Sequence, residues 1–192
     1  RSVTNLRKQA VAQGRNPEDL KIFGMITVVV AATDHEAEAK LVDYQQYGSE
    51  EGALTVLSGW TGMDFSQLDM DATVEEVESD AIQSALKGHG AHTVREWAQG
   101  LTVGGGGKVL SGSPTTIANK LQHWFEVSGV DGFNLAYTVM PECVEDFVDL
   151  VVPELQARGL FKKSYENGSF REKLFGNSAR LKAPHVGASY RH

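Results

Sequence analysis

The sequence predicts an α/β fold built on parallel strands, and three observations carry that reading. IFGMITVVVAA, Ile22 to Ala32, is a near-continuous apolar, β-branched run of the kind shown by parallel strands buried on both faces. It passes directly into Thr33-Asp-His-Glu36, a capping box that opens a helix. A second pair follows later: VDGFNLAYT, residues 130–138, then apolar residues at helical spacing from Val144 to Leu155. Strand followed by helix, and repeated, is the α/β signature. At 192 residues and 41% hydrophobic side chains, the chain is long enough to bury a core of its own.

Each element has a local reason. RSVTNLRKQAVAQG places Val3, Leu6, Ala10 and Val11 near helical spacing and ends on Gly14, a favoured residue just past a helix. No cap precedes Arg1, so this helix is expected to begin in mid-element. RNPEDLK reads as a turn into the strand at 22–32, and the capped helix runs through about Gln46 with Ala37, Leu41 and Tyr44 on one side. Residues 48–107 break the regularity with Gly, Ser and Asp clusters between short helical patterns at 74–86 and 93–99, and read as an insertion. Four glycines at 104–107 read as a flexible loop, and Ser113 and Pro114 as N-cap and first residue of a helix with apolar face Ile117, Ala118, Leu121, Trp124 and Phe125. Gly129 ends it, a strand at 132–138 follows, and a last helix at 144–158 should kink near residue 149 because Pro153 removes a backbone donor. Residues 160–192 are polar with isolated aromatics and read as an extended tail.

Charge and composition narrow the function. A net charge of −7, with no long Lys/Arg block, lacks the footprint of a nucleic-acid binder, so a small molecule or a protein is the expected partner. No apolar run approaches the roughly 18 residues that span a bilayer, and RSVTNLRKQ lacks the apolar core of a signal peptide. Together with the single cysteine, Cys143, which excludes an internal disulfide and a multi-cysteine zinc site, this points to the cytoplasm.

Several motifs fail on inspection. The glycines before Lys108 miss the phosphate-cradling spacing, because Thr102 and Val109 stand where Gly and Ser or Thr are needed. Asp69-Met-Asp71 starts like a calcium loop, but Val74 replaces its turn glycine and Asp80 its bidentate Glu. His89 and His92 lack a following glutamate base and sit among glycines, so no metal is expected. Asn167-Gly-Ser169 is a glycosylation triplet without a secretory context. What persists is the strand-to-helix rhythm, and in such folds function gathers at the carboxyl ends of the strands. That places Tyr137 and Thr138 at the mouth and Asn134 inside, where it would either contact a ligand or satisfy neighbouring polar groups.

The run from Ser111 to Gly176, SGSPTTIANK through the DGF strand and FVDLVVPELQARG to REKLFG, resembles the closing pattern of the bacterial luciferase-like flavin-dependent monooxygenases. AQGRNPEDLKIF and LSGWTGMDFS resemble the same family, in its nitrilotriacetate monooxygenase component A and dibenzothiophene-sulfone monooxygenase branch. The resemblance implies that residues 1–192 are the carboxyl-terminal portion of one (β/α)8 TIM barrel, with 48–107 as its insertion or lid. It also implies insertion of one oxygen atom from O2 into a small organic substrate, using reduced FMN supplied by a separate NAD(P)H-dependent flavin reductase, in a homo-oligomer. The flavin-ring histidines and the phosphate loop would precede Arg1, which leaves catalytic residues unassigned and Trp60, Asn134, Tyr137 and Thr138 as the expected flavin or substrate pocket. Trp60, flanked by Gly59 and Gly62, reads as a lid that excludes water, or else as a loop anchor. The four glycines, Phe170 and Trp60 depart from the family pattern. Two alternatives stand beside this reading: a deazaflavin-dependent hydride-transfer enzyme of the same barrel group, and a non-catalytic half-barrel that needs an amino-terminal part.

Overall fold

A computed structural model describes residues 3–73, 75–77, 92–104, 106–183 and 185–190. In chain order, the elements that matter here are α1 (Val3–Ala12), β1 (Phe23–Val30), α2 (Asp34–Gln46), α3 (Glu50–Thr61), α4 (Val94–Leu101), β2 (Lys108–Gly112), α5 (Pro114–Ser128), β3 (Gly132–Ala136), α6 (Glu142–Asp146), α7 (Val152–Ala157) and α8 (Phe170–Phe175).

The strands form one parallel sheet in the order β2-β1-β3. Ile26 lies beside Lys108 on one side and Leu135 on the other, so β1 is the central strand. The expected parallel pairing of the 22–32 and 132–138 segments is therefore observed. The order differs from that of consecutive barrel strands, which would put β2 in the middle; here the chain steps from β1 out to β2 and crosses back over to β3. β2 is a strand that the sequence reading does not assign. KVLSG is too short and polar to announce itself, and it becomes a strand by pairing along Ile26 to Val30.

Side-chain alternation divides β1 between two faces. Ile26, Val28 and Val30 join Leu110 and, from the helices, Ile117, Ala118, Leu121, Val151 and Leu155 in the main core. Thr27 and Val29 point the other way and are also buried, whereas Phe23 and Met25 at the entering end are 48% and 43% exposed. The described part of 48–107 has a second core, in which Leu54, Leu57, Val94, Ala98 and Leu101 surround Phe65 and Trp97 stacked edge-on at 5.6 Å. Ser49 caps α3, a helix the sequence reading missed because Gly52 and Gly59 interrupt its pattern. The expected helix at 93–99 is α4, capped by Thr93; the pattern at 74–86 lies almost wholly outside the described residues.

Caps hold as expected. Thr33 and Glu36 form the capping box of α2, Ser113 accepts from the Thr116 N–H, Pro114 opens α5, and Gly129 closes it at φ 70°. The kink expected at residue 149 takes the form of a π-helical turn, Phe147–Val151, between α6 and α7, where Pro153 cannot donate to the ladder. The tail is not simply extended: Ser169 and Glu172 make a capping box that starts α8, so the Ser of the glycosylation triplet is a helix cap. Asp131, just before β3, gathers Arg7 at 3.1 Å, Lys21 at 3.5 Å and the Ile22 N–H at 2.8 Å, and ties α1 to the start of the sheet.

Candidate functional site

β3 ends at Ala136, and the residues that continue it, Tyr137, Thr138 and Val139, form one wall of a cleft of about 360 Å³. Tyr44, Tyr47 and Gly48 at the end of α2 supply the second wall. Thr102, Val103 and Gly104, between α4 and β2, supply the third.

The third wall is positioned by one close approach. Gly104 has φ +73°, and a Cβ there would lie 2.1 Å from Oγ1 of Thr27; with only a hydrogen in that place, the fully buried Thr27 hydroxyl donates to the Gly104 carbonyl at 3.1 Å. The glycine segment read from sequence as flexible is thus pinned to the sheet at Gly104.

The second wall is fixed by charge. Lys40 of α2 reaches Glu142 at 2.6 Å and also bonds Asp146, both on α6, while the Tyr44 hydroxyl donates to Glu142 at 3.4 Å. Burial opposes the Lys40 charge, but hydrogen bonds to Asp146 and Glu142 outweigh it and its pKa is raised. The hydrogen bond from Lys40 holds the Glu142 carboxyl below its usual range, and burial raises Tyr44. All three groups therefore keep their neutral-pH states, and α2 stays locked to the segment leaving β3.

No charged side chain is among the described cleft-lining residues. The cleft presents phenol rings, valines and one unsatisfied donor: the Thr138 Oγ1 is buried and has no hydrogen-bond partner. A buried hydroxyl in that condition calls for an acceptor or donor from a ligand or water. These residues fit the uncharged, hydrogen-bonding edge of a flavin ring or an apolar substrate. They do not fit a flavin phosphate, which needs cations or several converging N–H groups.

Of the four pocket residues read from sequence, the structure brings two together, Tyr137 and Thr138. Asn134 is exposed and does not line the cleft; it stands opposite Met25, which is itself exposed. It does not point into the buried interior that the sequence reading expects for it. Trp60 lies in the last turn of α3, a helix and not a loop, with Gly62 as its left-handed cap at φ 71°; its side chain falls outside the described residues. Sequence reasoning missed Tyr44, Tyr47 and Gly104. The two tyrosines carried a usable signal, a three-residue helical spacing at the end of α2, whereas the contact of Gly104 with Thr27 spans 77 positions and left none.

Elsewhere, Asp71 of the rejected calcium motif pairs with Arg95 at 2.9 Å, His92 is exposed, His89 lies outside the described residues, and Cys143 is buried with a free thiol at the start of α6. Among the described residues no helix is long and apolar enough to cross a membrane.

No family model matches the chain. Individual proteins do. The dimethyl-sulfide monooxygenase of Hyphomicrobium sulfonivorans is 43% identical over 98% of this chain and 41% of its own length, and the crystal structure of that organism's DmoA superposes with a TM-score of 0.85, again over 98% and 41%. The long-chain alkane monooxygenase of Geobacillus thermodenitrificans is 38% identical over 99% of this chain and 40% of its own. A crystal structure of riboflavin lyase with modified FMN and riboflavin, 28% identical, matches at a TM-score of 0.83 over 99% of this chain and 43% of that one. The chain thus spans about two fifths of the length of the curated relatives it matches.

Proposed function

We propose, from the premise that this chain is homologous over nearly its whole length to luciferase-like flavin-dependent monooxygenases, that it forms part of an enzyme that inserts one oxygen atom from O2 into a small, uncharged organic substrate. The observation that carries this is the 43% identity to a dimethyl-sulfide monooxygenase across 98% of the chain, joined to a TM-score of 0.85. Reduced FMN, delivered by a separate NAD(P)H-dependent reductase, would supply the oxygen activation. The barrel to which the sheet would belong, with this chain at its carboxyl-terminal part, belongs to the same proposal.

The chain's own residues have defined tasks in it. Thr138 offers its hydroxyl to the ring edge or the substrate, and Tyr137 lines the approach. Tyr44, Tyr47 and Val139 give the cleft apolar surface that favours substrates able to leave water, and Lys40 keeps the tyrosine wall in place. Trp60, on α3, is the candidate for excluding water from the reacting centre. An uncharged lining favours a sulfide or an alkane over a polycarboxylate, because the anionic substrate would lose its hydration with no cation to replace it.

The test is oxygen uptake and product analysis by the protein at its natural length, with FMN, NADH and a supplied flavin reductase. An alkyl sulfide or a long-chain alkane should give substrate-dependent uptake and an oxygenated product, and a polycarboxylate chelate should not. Absence of flavin-dependent oxygenation of any of these would sink the reading.

A further inference from the structure

A second concavity shares no lining residue with the cleft and differs from it in chemistry. Residues 14–19, which lead into β1, face the tail segment 171–186 across a groove of about 790 Å³. Arg15, Arg171, Arg180 and Lys182 line it, with His185, against a single acid, Asp19. This concentration of positive charge occurs in a chain whose net charge is −7. The ion pairs among the described residues use Arg7, Lys21, Lys40, Arg95 and Arg158, and none uses the four cations of the groove.

Arg171 is the informative member. Its guanidinium stacks on the Phe175 ring at 4.6 Å, which fixes its plane, and its Nε is buried without a hydrogen-bond partner. Its terminal N–H groups make no hydrogen bond among the described residues, which leaves the fork open to an anion in the groove. Arg15, Arg180 and Lys182 are exposed around it, so the groove presents an excess of positive charge to solvent. A tetrahedral dianion has oxygens enough to meet more than one guanidinium fork at once. The hollow also exceeds what one inorganic ion fills, and Leu181, Ala183 and Val186 give the remainder an apolar lining.

We propose that this groove is a binding site for a small organic phosphate, with the half-buried Arg171 as its anchor and Arg15, Arg180 and Lys182 as surrounding charges. The phosphate sits against the guanidinium groups and the organic part against the apolar side. Nothing in the oxygenation reading requires this site, and a flavin-free probe tests it independently.

Isothermal titration of the natural-length protein with AMP, inorganic phosphate and adenosine decides the matter. AMP should bind saturably, inorganic phosphate more weakly and adenosine not at all, and added salt should weaken AMP binding. Arg171→Gln and Arg180→Gln should each reduce AMP affinity about tenfold or more, the loss expected for a charge-assisted hydrogen bond. Lys163→Gln, the same charge change at an exposed tail position outside the groove, should leave it unchanged. Arg180 is exposed, so that variant keeps the test valid should Arg171→Gln fail to fold. No saturable AMP binding, equal affinity in all three variants, or saturation by an acidic peptide but not by AMP would overturn the proposal.

Discussion

Two side chains of the cleft differ in what their loss should do. The Thr138 hydroxyl is buried without a partner, so it contributes nothing to the fold through hydrogen bonding and is free to serve a ligand. Thr138→Val keeps the shape and removes the hydroxyl. The variant should melt at or above the wild-type temperature while its KM for the substrate, or its Kd for flavin, rises about fivefold, equivalent to about 1 kcal/mol for one neutral hydrogen bond. Thermal melts beside steady-state kinetics check both halves, and a marked loss of stability with unchanged binding would show that Thr138 is a structural residue. Gly104 should behave in the opposite way. Alanine there must adopt φ +73° and place its Cβ against the buried Thr27, so Gly104→Ala should destabilise by on the order of 1–3 kcal/mol and loosen the cleft wall. Chemical denaturation measures it; a variant as stable as wild type would mean that the segment is not held against β1.

At the scale of elements, the joint between α2 and α5 rests on Asp34. Its carboxylate accepts from the Ser113 N–H at 2.6 Å and from the Thr116 hydroxyl at 3.1 Å, so the first turn of α2 anchors the N-terminus of α5. The backbone bond from Ser113, then the Thr116 bond, hold Asp34 below its usual carboxylate range. A carboxyl whose pKa is lower folded than unfolded adds stability that is complete above the unfolded value, roughly 3.9, and is lost as pH falls through the folded value. Asp34→Asn should therefore lower Tm at pH 7, and its gap from wild type should shrink as pH drops below about 4, which melts across that range would record. A constant gap would place the effect in shape and not in charge. These elements also show what local sequence can carry. The β1 run, the Thr33 box, the Ser113-Pro114 start and the Gly129 end were all legible, because each depends on residues within one turn of itself. β2 and α3 were not: KVLSG becomes a strand only because β1 lies beside it, and α3 tolerates two glycines because Leu54 and Leu57 bury against Phe65 and Trp97. At the site, Tyr137 and Thr138 followed from being at a strand end, whereas placing Asn134 required the pleat and register against β1 that only the structure supplies.

For the whole molecule, the order β2-β1-β3 decides which surfaces remain open. β1 is flanked on both sides, so the edges of the sheet belong to β2 and β3. The β3 edge is the vulnerable one. Beside it lies a hollow of about 350 Å³ lined by Leu121, Phe125, Phe133, Leu135 and Phe161, in which Phe125, Leu135 and Phe161 remain 48%, 40% and 41% exposed. An apolar surface next to a row of unpaired backbone donors and acceptors invites another strand, and β3 carries no inward lysine or proline to discourage it. The 192-residue chain expressed by itself should therefore associate through β3, appearing as a dimer or larger species by gel filtration with light scattering. Leu135→Lys puts a charge into that hollow without touching the pairing of β3 with β1, and should shift the population toward monomer. Phe125→Glu, on the neighbouring helix, should act in the same direction. If the unmodified chain runs as a clean monomer at tens of micromolar, or if neither substitution changes its size, then the β3 edge is not what holds copies together and the open side of the sheet is protected in some other way.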